Sequence, residues 1–189
     1  MRKLGLPEAG DALLYALQKE LKDDRTWAVQ YQIIIALGVT KAYNALPLLR
    51  KLVKQEFKAT FLYQGLGYAL LRLSYKEQGT ELAIKSILAT KDVRVFKGAF
   101  RAIAMLKLVP DDKTIQRIIK IASDPNVSEI LAGYPGDKTG LRYWVAVACA
   151  GWRKELVVAF LDECEQIGDT ALVWAVENAR KGRYIKYDY

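Results

Sequence analysis

The sequence predicts an all-α fold in which similar helix pairs stack into an α-solenoid. Three observations lead there. The pair Ala36-Leu37 returns as Ala69-Leu70 and again as Ala102-Ile103, each time after 33 residues, and a recurrence of this length marks a repeated helical unit. Each copy lies in an apolar stretch of helical period. Short polar breaks rich in Gly, Pro and Asp separate such stretches from near Glu8 to Gly182. Stacked pairs bury one face of each unit against its neighbours and leave a long surface free, so the architecture favours binding over a single catalytic pocket.

The first pair is expected at 9–21 and 26–37, closed by Gly38, a residue suited to the left-handed cap of a helix. The second is expected at 45–57 and 60–73, with Pro47 in the first turn, where its missing N–H does little harm. The third spans 81–89 and 94–106, and Pro110 forbids continuation. The fourth opens at 111–122 with Asp111 or Asp112 as N-cap, and its second helix, 141–152, follows only after a long break at 124–140. Ala148 stands 46 residues after Ala102, one 33-residue step plus a 13-residue insertion in that break. The insertion carries Tyr134 and Lys138 among Pro125, Gly133, Pro135 and Gly136, and long loops in compact repeats are disproportionately functional. The fifth pair is expected at 155–167 and 170–181, from an Asp169 N-cap to a Gly182 stop. The basic and aromatic tail, 182–189, is too apolar at Tyr184, Ile185 and Tyr187 to hang free and is expected to cover the last repeat.

Segments such as DDRTWAVQYQIIIALG, KDVRVFKGAFRAIAML and KTGLRYWVAVACAGW resemble the second helices of HEAT-like repeats, in which a polar turn leads into V-R-x-x-A-x-x-A-L-G. The resemblance implies a right-handed α-solenoid of about five HEAT-like helix pairs, one domain over 1–189 with the insertion inside repeat four. The chain departs from the pattern where Gln30, Tyr63 and Phe96 replace the early arginine that Arg142 retains. The Trp-Leu-Gly-Tyr spacing of tetratricopeptide arrays is absent.

Composition narrows the chemistry. With no histidine, Ser-His-Asp and Cys-His nucleophiles and His-ligated metals are impossible, and the two separate cysteines, Cys149 and Cys164, cannot make a structural zinc site. Both are read as buried thiols. Gly65 and Gly67 fall within a helix, as packing glycines rather than a phosphate loop. No apolar run approaches the roughly 20 residues that cross a bilayer, and a cytoplasmic location is expected. The net charge of +8 is uneven: residues 39–110 hold 13 basic and four acidic residues, an excess of nine, while the flanking segments nearly balance.

The repeat register assigns faces. Val29, Ile33, Ala36 and Leu37 form one stripe, repeated by Leu62, Leu66, Ala69 and Leu70, and are expected in the core. The outward positions are then Tyr31 and Ile35, Gln64 and Tyr68, Lys97 and Arg101, Tyr143 and Val147, Trp174 and Asn178, each pair spaced i, i+4 on one side of its helix. In HEAT-like folds the second helices line the concave face, so the resemblance implies a partner-binding strip of Tyr31, Gln64, Tyr68, Lys97, Arg101, Tyr143, Trp174 and Asn178. Tyr and Arg are the residue types that anchor binding surfaces. Arg50, Lys51, Lys54, Lys58 and Arg94 form a second basic patch. The expected function is a non-enzymatic protein-binding module, of adaptor, regulatory or toxin-immunity type, for a partner with an acidic surface. Nucleic-acid binding is the alternative. A reading as one of the alkylpurine DNA glycosylases built on HEAT-like repeats is weakened because the outward columns carry no Asp or Glu. No catalytic residue, cofactor, metal or membrane contact is assigned.

Overall fold

A computed structural model describes residues 7–127 and 139–187, and the regular structure of those residues is helical, with no strand among them. The chain divides into two compact units, Met1–Ala102 and Ile103–Tyr189. The insertion expected at 124–140, with Tyr134 and Lys138, falls largely outside the described residues, as do the last two residues of the tail.

In the first unit, α1 (Pro7–Glu20) packs on α2 (Trp27–Thr40), α2 on α4 (Phe61–Gln78), and α4 also on α3 (Leu46–Leu52) and α5 (Thr80–Leu88). Helix α6 (Val93–Leu106) crosses α4 at two glycines, so α4 is covered from several sides. That explains why nearly every residue from Leu62 to Leu71 is buried.

The expected stripe of α2 is off by one residue. Val29 is 49% exposed, whereas Gln30, Ile34, Leu37 and Gly38 are buried. Gln30 turns the inner face toward itself because its amide donates to the Glu20 carbonyl (3.0 Å) and the Asp23 carbonyl (2.9 Å), at the end of α1 and in the turn that follows it. Gly38 does not end α2. A Cβ there would stand 2.9 Å from the Ala69 Cα, so the glycine admits α4, and the helix stops at Lys41 in the left-handed region (φ 60°). Helix α3 ends earlier than expected: the Tyr63 hydroxyl accepts from the Phe57 N–H (3.0 Å) and meets the Gln55 carbonyl (3.1 Å), groups that a longer helix would pair internally.

In the second unit, α7 (Asp112–Ser123) packs on α8 (Arg142–Ala148) and α9 (Lys154–Gln166), and α10 (Thr170–Arg180) packs on both α8 and α9. Asp111 and Asp169 cap α7 and α10 as expected, accepting from the N–H groups of Thr114 (2.7 Å) and Leu172 (2.9 Å). Helix α8 is shorter than predicted and passes into a 3-10 turn, Cys149–Gly151. Both cysteines are free and buried. Burial pushes the Cys149 thiol well above its ordinary value and the Cys164 thiol up to about 12. The tail folds back: Tyr187 meets the Tyr143 hydroxyl (2.9 Å) and the Trp144 ring (5.1 Å), and the Tyr184 hydroxyl lies where a Cβ on Gly151 would be.

Candidate binding site

The crossing of α4 and α6 builds the site in the first unit. A Cβ on Gly67 would land on the Val95 carbonyl oxygen and one on Gly98 on the Gln64 carbonyl oxygen, so the two backbones touch reciprocally. This contact brings Arg101, three residues after Gly98, beside Tyr68, with Lys97 next to the crossing on the same helix. The Tyr68 side chain is fully buried, against the expectation that it faces outwards, because its helix is covered on several sides. Its ring is held between two guanidinium groups, Arg72 at 5.1 Å and Arg101 at 5.3 Å from the centroid, and Arg72 Nη1 donates to its hydroxyl (3.0 Å). Arg72 Nε also donates to the Gly38 carbonyl (3.3 Å), tying the cluster to α2.

Tyr31 continues the cluster. Its hydroxyl accepts from Arg101 Nη1 (3.4 Å), and its ring stands edge-on to Phe61 at 6.4 Å. Phe61 in turn stacks on Trp27 at 6.1 Å. Gly65 lets the Tyr31 ring lie against α4, since a Cβ there would come within 3.0 Å of Tyr31 Cδ2. Trp27 and Phe61 are 40% and 39% exposed, so the row runs from a half-buried cation pair to an accessible aromatic shelf. Lys97 is partly buried, and burial pushes its ammonium down to about 8. Gln64 Nε2 is buried and finds no hydrogen-bond acceptor among the described residues. This arrangement is suited to holding an anionic group beside an apolar one.

No family model, curated protein or solved structure matches this chain.

Tyr31, Tyr68 and Arg101 are thus brought together, with Gln64 and Lys97 beside the crossing on α4 and α6. The remaining strip residues lie in the second unit, where other partners use their polar groups. Tyr143 bonds to Tyr187 of the tail, and Asn178 Nδ2 donates to the Trp174 carbonyl of its own helix (2.8 Å), while the Trp174 ring stays exposed. Val147, expected outwards, is buried.

In the second basic patch, Arg50, Lys51, Lys54 and Lys58 are exposed, with Glu77 3.5 Å from Arg50 and Asp24 3.7 Å from Lys58. Arg94 is not displayed with them. Its guanidinium pairs with Asp92 (2.6 Å) and lies 3.6 Å over the Tyr63 ring. Burial pushes the Asp92 carboxyl up, but the hydrogen bonds from Arg94 outweigh it and leave the group below its usual range.

The second unit also holds an apolar crevice of about 130 Å³ lined by Cys149, Trp152, Val157, Leu161 and Gly182. Drug-sized ligand pockets run from about 300 Å³ upwards, so the crevice is too small for one. Sequence reasoning missed Arg72, Trp27 and Phe61. Arg72 was findable, since it follows Tyr68 by one helical turn. Trp27 and Phe61 begin their helices, where the 33-residue register pairs Trp27 with Thr60 and hides the correspondence.

Proposed function

We propose that this chain is a non-enzymatic protein-binding module, a HEAT-like right-handed α-solenoid that recognises an acidic partner. The observation that carries the reading is the row Trp27, Phe61, Tyr31, Arg101, Tyr68 and Arg72, in which each ring or guanidinium touches the next across α2, α4 and α6. Aromatic and arginine side chains anchor interfaces because they combine large contact area with directional bonding. The side-by-side packing of α2 on α4, with α6 crossing α4, supports the solenoid reading. The excess of basic over acidic residues at 39–110 supports an acidic partner.

The test is affinity capture from the native host, run with and without nuclease, using the chain and its Lys97→Glu/Arg101→Glu variant. A protein retained by the first and lost by the second is expected. Recovery of nucleic acid alone, with affinity for generic DNA or RNA falling steeply on a log–log salt plot, would replace this reading with the nucleic-acid one.

A further inference from the structure

We infer that the Trp27–Phe61 shelf and the adjoining Arg101–Tyr68–Arg72 cluster dock a short acidic segment of a partner protein, an apolar side chain lying on the shelf and an Asp or Glu carboxylate meeting the cations. The inference rests on the protein-binding reading and adds the place and chemistry of recognition.

Three features select this occupant. The shelf is accessible: Trp27 and Phe61 each leave about two-fifths of their surface in solvent, although burying such rings is favourable by about 25 cal/mol per Å². Next, the two guanidinium groups are clustered about one ring rather than spread along the surface. Arg72 and Arg101 stand within 5.3 Å of the centre of one ring, with Lys97 one turn from Arg101 on the same helix. A nucleic-acid strand, with a charge at every nucleotide, is better met by cations spaced along a groove. A close cluster fits one compact anion. Finally, Tyr31 joins the two halves, touching Phe61 with its ring and Arg101 with its hydroxyl, so a side chain on the shelf and a carboxylate at the cations are within reach of adjacent positions of one peptide.

Donors for that carboxylate are at hand, because guanidinium groups bind carboxylates through paired N–H donors and both Arg72 and Arg101 are only partly buried. Of the acids nearest the shelf in sequence, Asp23 is paired with Arg25 (2.7 Å) and Asp24 lies 3.7 Å from Lys58.

The experiment selects peptides from a random display library on the full chain, then measures fluorescein-labelled winners by anisotropy against the chain and two variants. Trp27→Ser/Phe61→Ser removes the shelf at exposed positions. Arg72→Gln/Arg101→Gln removes the cations. Thermal melts establish that each variant is folded, and Trp27→Ser alone serves if a double variant is not. The expected winners carry Asp or Glu within a few residues of Trp, Phe, Leu or Ile. Each variant should weaken them about tenfold or more, as should Glu→Gln in the peptide.

No enrichment, winners that are neutral or basic, or tighter binding of labelled oligothymidylate than of any peptide would overturn the proposal. Acidic peptides that bind both variants unchanged would remove this site yet leave the protein-binding reading standing.

Discussion

Tyr31 and Tyr68 occupy different columns of the repeat and have unlike surroundings: Tyr68 is fully buried between two guanidinium groups, and Tyr31 is partly exposed. Tyr68→Ala should therefore cost about 3–5 kcal/mol of stability, the range for truncating a buried aromatic. Tyr31→Ala should cost much less and act mainly on binding. Chemical denaturation of both variants, read beside partner affinity, checks the contrast. Lys97 supplies a second residue-scale test. Its ammonium titrates near 8 in the folded chain against 10.5 ordinarily, so between those values the unfolded chain binds more protons and stability rises with pH. Below about pH 8 both states are charged and the burial penalty is fully present. Lys97→Met should remove the rise between pH 8 and 10.5 and melt higher than the parent at neutral pH. Equal slopes for the two proteins would show that Lys97 is not the titrating group. The kinds of residue at this site were legible in the sequence, and five of its members were named from the repeat alone. Their inward or outward direction was not: Tyr68 turns inward because α4 is covered on several sides, and Gln30, bonding to the end of α1, shifts the inner face of α2 by a residue.

Helix order and most boundaries follow from period and punctuation, since Asp111, Asp169 and Gly182 act locally. Boundaries set by distant contacts were not readable. Gly38 looked like a terminus and is instead a place for Ala69, and α3 stops where Tyr63 takes over the backbone of the following turn. Gly67 and Gly98 carry the strongest element-scale expectation. Gly98→Ala drives a methyl group into the Gln64 carbonyl, a backbone atom that cannot swing aside, so the destabilisation should reach about 1–3 kcal/mol or more. Amide hydrogen exchange should localise the loosening to α4 and α6. An unchanged melting temperature would mean that the helices do not meet there.

At the scale of the whole molecule, the charge excess at 39–110 acts over distance as well as by contact. Reversing the exposed Arg50, Lys51, Lys54 and Lys58 to Glu should slow association with an acidic partner at low salt and leave dissociation almost unchanged, a difference that stopped-flow kinetics resolves. Stability should change little, because the ion pairs of Arg50 and Lys58 are solvent-exposed. Composition alone revealed this field, whereas the row of contacts that would receive the partner depends on how helices cross, which no count of residues expresses. The glycine crossing bears on the energetics of that encounter. With two backbones in direct contact at Gly67 and Gly98, no flexible layer of side chains lies between the helices there, and the backbones that carry Arg72 and Arg101 are held at a fixed spacing. Recognition at such a joint is preorganised: the loss of conformational freedom that binding ordinarily demands of a protein surface has already occurred during folding.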